Sequence, residues 1–124
     1  MMVVPNYLAP SRIHGLGVFA AEPIPAGTAV WVLHPRYDLT FPDAEVAAMP
    51  PVLRAFMDCY GYRDDRHPGL VFCGLDNGRF MNHSDDPNLD QIDDANVAVR
   101  DIAAGEELTC DYRLLGENPP AGWR

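Results

Sequence analysis

RFMNHSDDPN, residues 79–88, runs an apolar pair, Phe80 and Met81, straight into Asn82-His83-Ser84, two aspartates and Pro87-Asn88. By composition alone this is a polar surface turn. Two large apolar residues at its mouth raise the question of why a chain would lead an apolar pair into such a cluster.

The surroundings are those of a small β-rich domain. LVFC (70–73), NVAV (96–99), ELTCDY (107–112), MVVPNYL (2–8) and TAVWVLH (28–34) are rich in β-branched and aromatic residues and read as strands. One stretch, about 43–60, reads as helix. Asp43 is placed to cap a short first turn, Pro50-Pro51 interrupts, and Pro51 suits the first position of a second helix, PVLRAFMDCY. Ile24-Pro25-Ala26-Gly27-Thr28 and Ile102-Ala103-Ala104-Gly105-Glu106 echo each other as turns entering strands, with Gly27 and Gly105 where positive φ is needed. The tail RLLGENPPAGWR is too rich in Pro and Gly for regular structure, and its Leu114, Leu115 and Trp123 are expected to cover something.

Composition narrows the function. At 124 residues the chain reads as one domain, and twelve prolines with ten glycines favour short elements over long helices. The net charge is −9, and all nine basic residues are arginine. No basic stripe is present to neutralise phosphates, which argues against nucleic acid, and the acidic balance reads either as a plain solvated surface or as a face that attracts a basic peptide or protein. Cys59, Cys73 and Cys110 form no C-x-x-C pair, so neither a disulfide framework nor a zinc knuckle is expected. With no export signal and no apolar run of membrane-spanning length, the expected location is cytoplasmic.

GLGVFA (15–20) fits the dinucleotide fingerprint G-x-G-x-x-A, but Pro23, Pro25 and Gly27 forbid the helix which that fingerprint requires. What remains is a turn whose glycines let backbone approach something closely. His14, His34, His67 and His83 lack metal-ligand spacing. Nothing local supports a nucleophilic Cys110, since a lone cysteine in a strand is ordinarily a small buried hydrophobe. Glu107 and Asp111 read as structural carboxylates on one strand face.

In order, G-L-G at 15–17, R-F-M-N-H-S-D-D-P-N at 79–88 and G-E-E-L-T-C-D-Y at 105–112 resemble the signatures of the SET domain of protein lysine methyltransferases. The resemblance extends over essentially the whole chain. It implies a mainly β fold with short helices, the α+β SET-domain β-clip, with several small sheets around a C-terminal pseudoknot where the N-H-S and E-L-x-x-D-Y segments meet. It also implies one SET domain over 1–124, S-adenosyl-L-methionine as cofactor, and methyl transfer to a lysine of a basic protein or peptide. By the same resemblance, Gly15, Leu16 and Gly17 contact the cofactor through backbone. Asn82 and His83 bind its amino-acid part and adenine, through backbone and the Asn82 amide. Tyr112 is the catalytic residue and touches the cofactor, its hydroxyl orienting methyl and amine. Tyr60 and Tyr62 stand where the family places aromatics lining the lysine channel or cofactor site.

Such a reaction needs a neutral amine, although free lysine has a pKa of about 10.4. A buried channel beside a sulfonium disfavours the ammonium, and the remaining barrier is largely one of alignment.

The chain also departs from the family pattern. Asp85 replaces the usual cysteine after N-H-S, and no cysteine follows Tyr112, so no zinc-bearing post-SET segment and no metal are expected. The resemblance is to a minimal, bacterial- or viral-type SET domain. Residues 113–124 then form a short non-zinc flap, with Leu114, Leu115 and Trp123 available to close the channel. Cys110 stands where relatives carry a phenylalanine or tyrosine limiting methyl number, which leaves room for more than one methyl. Lacking lysine, the chain offers no lysine side chain of its own to methylate. The alternative is a weak or inactive SET-fold module that binds cofactor or a partner protein. A homodimer would be one way for so small a domain to complete its core.

Overall fold

The computed structural model describes residues 1–117. Strands β1 (Asn6–Pro10), β2 (Leu16–Ala20), β3 (Ala29–Val32) and β4 (Asp38–Pro42) lead into helices α1 (Asp43–Ala47) and α2 (Pro51–Tyr60). Strands β5 (Leu70–Gly74), β6 (Asn82–His83), β7 (Leu89–Ile92), β8 (Ala95–Ala98) and β9 (Thr109–Cys110) follow, with 3-10 turns at Asn77–Phe80 and Tyr112–Leu115. They assemble into small sheets, β1-β2, β3-β8-β7, β4-β5 and β6-β9. This is the mainly β architecture with short helices that the sequence led us to expect. Among the described residues no helix is long and apolar enough to cross a membrane.

The β6-β9 pair is parallel, Asn82 opposite Thr109 and His83 opposite Cys110, so the N-H-S and E-L-T-C-D-Y segments do meet. The echoed turns meet as well. Ile24 and Ile102 exchange backbone hydrogen bonds of 2.8 Å in both directions, and Gly27 and Gly105 each adopt φ of 83°. Each turn is braced by a carboxylate, Asp101 accepting from the Ala26 N–H and Glu106 from the Ala103 N–H.

Val18, Val30, Leu89, Ile102 and Leu108 form the dry centre of the main core, none more than 1% exposed. A satellite core of Met57, Val71 and Cys73 lies under the helices. Between the two cores runs the Tyr60–Tyr62 segment, whose tyrosines pack against one each.

Several local expectations are corrected. In MVVPNYL the ladder begins only at Asn6, because Pro5 has no N–H to give, and Met2 keeps a single bridge to Trp31. TAVWVLH contracts to β3. ELTCDY keeps two ladder residues, since Glu107 bridges to Phe19 and Asp111 leaves the strand to cap the following turn through the Arg113 N–H. The start of the tail is regular after all, a 3-10 turn closed by Gly116 in the left-handed region at φ 81°. Asp43 is the first residue of α1 and not its cap, which is Pro42, and its carboxylate pairs with Arg63. Pro51 opens α2 as expected.

Candidate active site

The three motifs converge on one hydrogen-bonded knot. Asn82 Nδ2 donates to His14 O at 3.1 Å, Leu16 O at 3.2 Å and Glu107 Oε1 at 2.9 Å. Glu107 Oε2 accepts from Ser11 Oγ at 3.0 Å, so one carboxylate joins the glycine turn to the N-H-S strand. Gly17 is glycine for this reason: a Cβ there would fall 2.1 Å from Glu107 Oε1. Gly15 is different, with φ of 48° and open space beside it. The close approach expected of the glycine turn is thus to Glu107, while exposed Leu16 and the Gly15 backbone face outward. The Asn82 amide nitrogen is committed to the framework.

His83 is fully buried. The Tyr112 N–H can only donate, and it reaches His83 Nδ1 at 3.2 Å, so the ring proton lies on Nε2, facing Asp85 Oδ1 at 3.1 Å. With both ring nitrogens engaged, the His83 side chain is committed within the protein. Tyr112 is held at its other end too, its hydroxyl donating to Met81 O at 2.5 Å. Its ring packs tilted against the His83 imidazole, centroids 5.5 Å apart. Burial, helped by neighbouring Cys110, pushes the Tyr112 pKa well above the ordinary tyrosine value. The hydroxyl therefore stays neutral, and with its proton on Met81 it acts as an acceptor toward any other group.

Tyr112 opens onto a cavity of about 220 Å³ whose wall includes Tyr60, Tyr62, Met81, Cys110 and Leu115. The structure thus brings together Tyr60, Tyr62, Cys110 and Tyr112 on one cavity, whereas Gly15, Leu16, Gly17, Asn82 and His83 do not line it. Trp123 lies outside the described residues. Cys110 is 9% exposed, and burial with Asp111 nearby pushes its thiol up to about 12, which removes any thiolate nucleophile. Leu115 is on the wall as expected of a covering residue, whereas Leu114 is 52% exposed.

Sequence reasoning did not single out Arg79 as a site residue. Its guanidinium lies 4.8 Å from the Phe80 ring centroid and 5.7 Å from that of Tyr60, and its Nε is buried without a hydrogen-bond partner. The signal was present in the R-F-M-N-H-S motif itself, but its Tyr60 partner is remote in sequence.

The other end of the cavity is acidic and already compensated. The Arg66 guanidinium forks onto Asp64 and lies 3.6 Å from Asp94, while Asp38 Oδ2 accepts from the Met1 amine at 3.0 Å. Asp64, His67 and Asp94 bring potential metal-ligand atoms within 4.8 Å of one another, but Arg66 sits on both carboxylates. Burial, then Asp38, raises the Tyr62 pKa far above the ordinary value, so Tyr62 is also a neutral phenol.

Comparison with known proteins identifies the family and the fold. The profile of the family described as "SET domain" matches residues 15–113. A solved Plasmodium falciparum protein, described as a candidate histone methyltransferase, superposes with a TM-score of 0.62 at 23% identity, covering 88% of this chain and 93% of that one. A chain of an active polycomb repressive complex 2 in the basal state superposes with a TM-score of 0.68 at 24% identity over 94% of this chain. A humanised mutant of the Chaetomium thermophilum polycomb repressive complex 2, bound to the inhibitor GSK126, gives 0.64 at 25% identity over 94% of this chain. The matched region is only 16% and 15% of those two polycomb chains. Curated proteins give no match.

Proposed function

Because the chain belongs to the SET domain family, we propose that it is an S-adenosylmethionine-dependent protein lysine N-methyltransferase acting on a basic protein. The observation that carries this reading is Tyr112, a neutral phenol fixed at its amide by His83 and at its hydroxyl by Met81, on the wall of a cavity shared with Tyr60, Tyr62 and Cys110.

The residues present fit the cofactor. Arg79, with its Nε buried and unpaired, would hold a carboxylate such as that of the methionine part. The main chain of Gly15, Leu16, Gly17, Asn82 and His83 would bind the remainder. S-adenosylmethionine supplies an electrophilic methyl group on a sulfonium. The Tyr112 hydroxyl accepts from the amine and from polarised C–H groups, contacts that are individually small and act through alignment. Met81, Cys110, Tyr112 and Leu115 give an uncharged stretch to a wall that also carries Asp58, Arg79 and Glu117, and burial against that stretch shifts a lysine amine toward its neutral form. The overall charge of −9 favours capture of a basic substrate.

The C-terminal segment would close the site as a flap without zinc, although residues 118–124 of the expected flap lie outside the described residues. Support comes from the described part: Leu115 and Glu117 lie on the cavity wall, and Glu117 Oε1 accepts from the Arg63 N–H at 2.7 Å. Parallel pairing of β6 with β9 supports the family's pseudoknot topology for this chain.

The test is methyl transfer from isotope-labelled S-adenosylmethionine to a histone-like basic protein and to a cell lysate, with Tyr112→Phe as control. Label on lysine that is lost in the variant supports the enzyme. Cofactor binding with no label on any substrate would replace it with a binding module.

A further inference from the structure

His83, Asp85, Arg113 and Asp111 form a closed ring of polar contacts around the backbone of Tyr112. His83 Nε2 faces Asp85 Oδ1 at 3.1 Å, and Asp85 Oδ1 lies 3.1 Å from Arg113 Nη2. Arg113 forks onto Asp111, Nε to Oδ1 and Nη2 to Oδ2 both at 2.8 Å. Asp111 Oδ1 returns to within 3.6 Å of His83 Nδ1, the atom that accepts the Tyr112 N–H. Two members of the ring are the chain neighbours of Tyr112, and a third holds its amide. We propose that Asp85 and Arg113 are positioning residues, a metal-free clasp that sets the orientation of Tyr112 by tying the turn after β6 to the start of the C-terminal segment.

Asp85 and Arg113 have side-chain exposures of 40% and 52%, and ion pairs so open to solvent contribute little to folding stability. Their effect falls on geometry. Asp111 and Arg113 are clamped together across Tyr112, and Asp85 ties the Arg113 end of that clamp to His83 on β6, where Asp111 ties the other end. Without Asp85, the Arg113 side of Tyr112 loses its side-chain tie to β6. Small losses of alignment at a reacting centre are costly, up to about a hundredfold for displacements of order 1 Å.

The proposal rests on the reading of Tyr112 as the residue that meets methyl and amine, and its test separates the two. Asp85→Asn and Arg113→Gln should each lower kcat about tenfold, with the cofactor dissociation constant and the thermal midpoint unchanged. The double variant should lose no more than either single one, because both break the same ring. Arg113→Lys, which keeps the charge without the fork, should recover part of the loss. Independently of turnover, amide hydrogen exchange at Tyr112 should accelerate in Asp85→Asn while that at Leu108 does not. Wild-type kcat in the variants, losses that multiply in the double variant, or unchanged exchange at Tyr112 would each overturn the clasp. A wild-type protein without activity overturns the methyltransferase reading instead, and exchange at Tyr112 then decides the clasp alone.

Discussion

At the scale of single residues, Arg79 and Cys110 make the sharpest claims. A charge-assisted hydrogen bond contributes about 1.5–3 kcal/mol, so Arg79→Gln should weaken S-adenosylmethionine binding by about 10- to 100-fold in calorimetry. Unchanged affinity would remove Arg79 from the cofactor site. Cys110 is buried on the cavity wall beside Tyr112, where a small side chain leaves room as the amine grows by successive methyls. Cys110→Tyr should shift the products toward monomethyl-lysine in mass spectrometry, and an unaltered distribution would show that the thiol position does not set methyl number. Tyr112 and His83 were legible in the sequence because their motif carries them. The environment of Arg79 was not, because its guanidinium is aromatic-stacked only once Tyr60, at the end of α2, folds back onto Phe80.

At the scale of elements, the site is a junction of pieces too short to stand alone. β6 and β9 are two residues each, and neither periodicity nor propensity can announce a ladder of that length. The helices were legible because Pro50-Pro51 punctuates them, and the echoed turns because each carries its own glycine. That the echoes pair with each other, and that Gly17 exists to admit Glu107, are contacts between remote parts of the chain. Gly17→Ala must push Glu107 off Asn82, and overpacking of this kind costs about 1–3 kcal/mol. A chemical-denaturation midpoint identical to wild type would mean that Glu107 can give way without loss. Leu108, fully buried between Glu107 and Thr109, should cost about 2–5 kcal/mol as Leu108→Ala.

At the scale of the whole molecule, electrostatics sets both what the protein attracts and where it fails. Burial works to raise the Asp64 carboxyl, but the hydrogen bonds and charge of Arg66 outweigh it and hold it below the ordinary value. Arg113 also lowers Asp111, but that pair is open to solvent and contributes little to stability. Carboxyls depressed in the folded state stabilise it fully above their unfolded pKa of about 3.9, and that contribution is lost as pH falls through the folded values. Thermal midpoints measured from about pH 6 down to about pH 3 should therefore fall more steeply for wild type than for Arg66→Gln, and parallel curves would count against the Asp64–Arg66 pair. The Ser11–Glu107 hydrogen bond joins residues 96 apart in sequence, which has a consequence for the order of events on the ribosome. All of residues 11–107 must be synthesised before the glycine turn can lock onto its partner. Loop-closure entropy for so distant a contact must be overcome before the contact can stabilise anything, a topology associated with slow folding. A nascent chain arrested before Thr109 emerges has its helices and hairpin to form but no β9 for β6 to pair with, so the junction of the three motifs is assembled only after residue 110 has emerged.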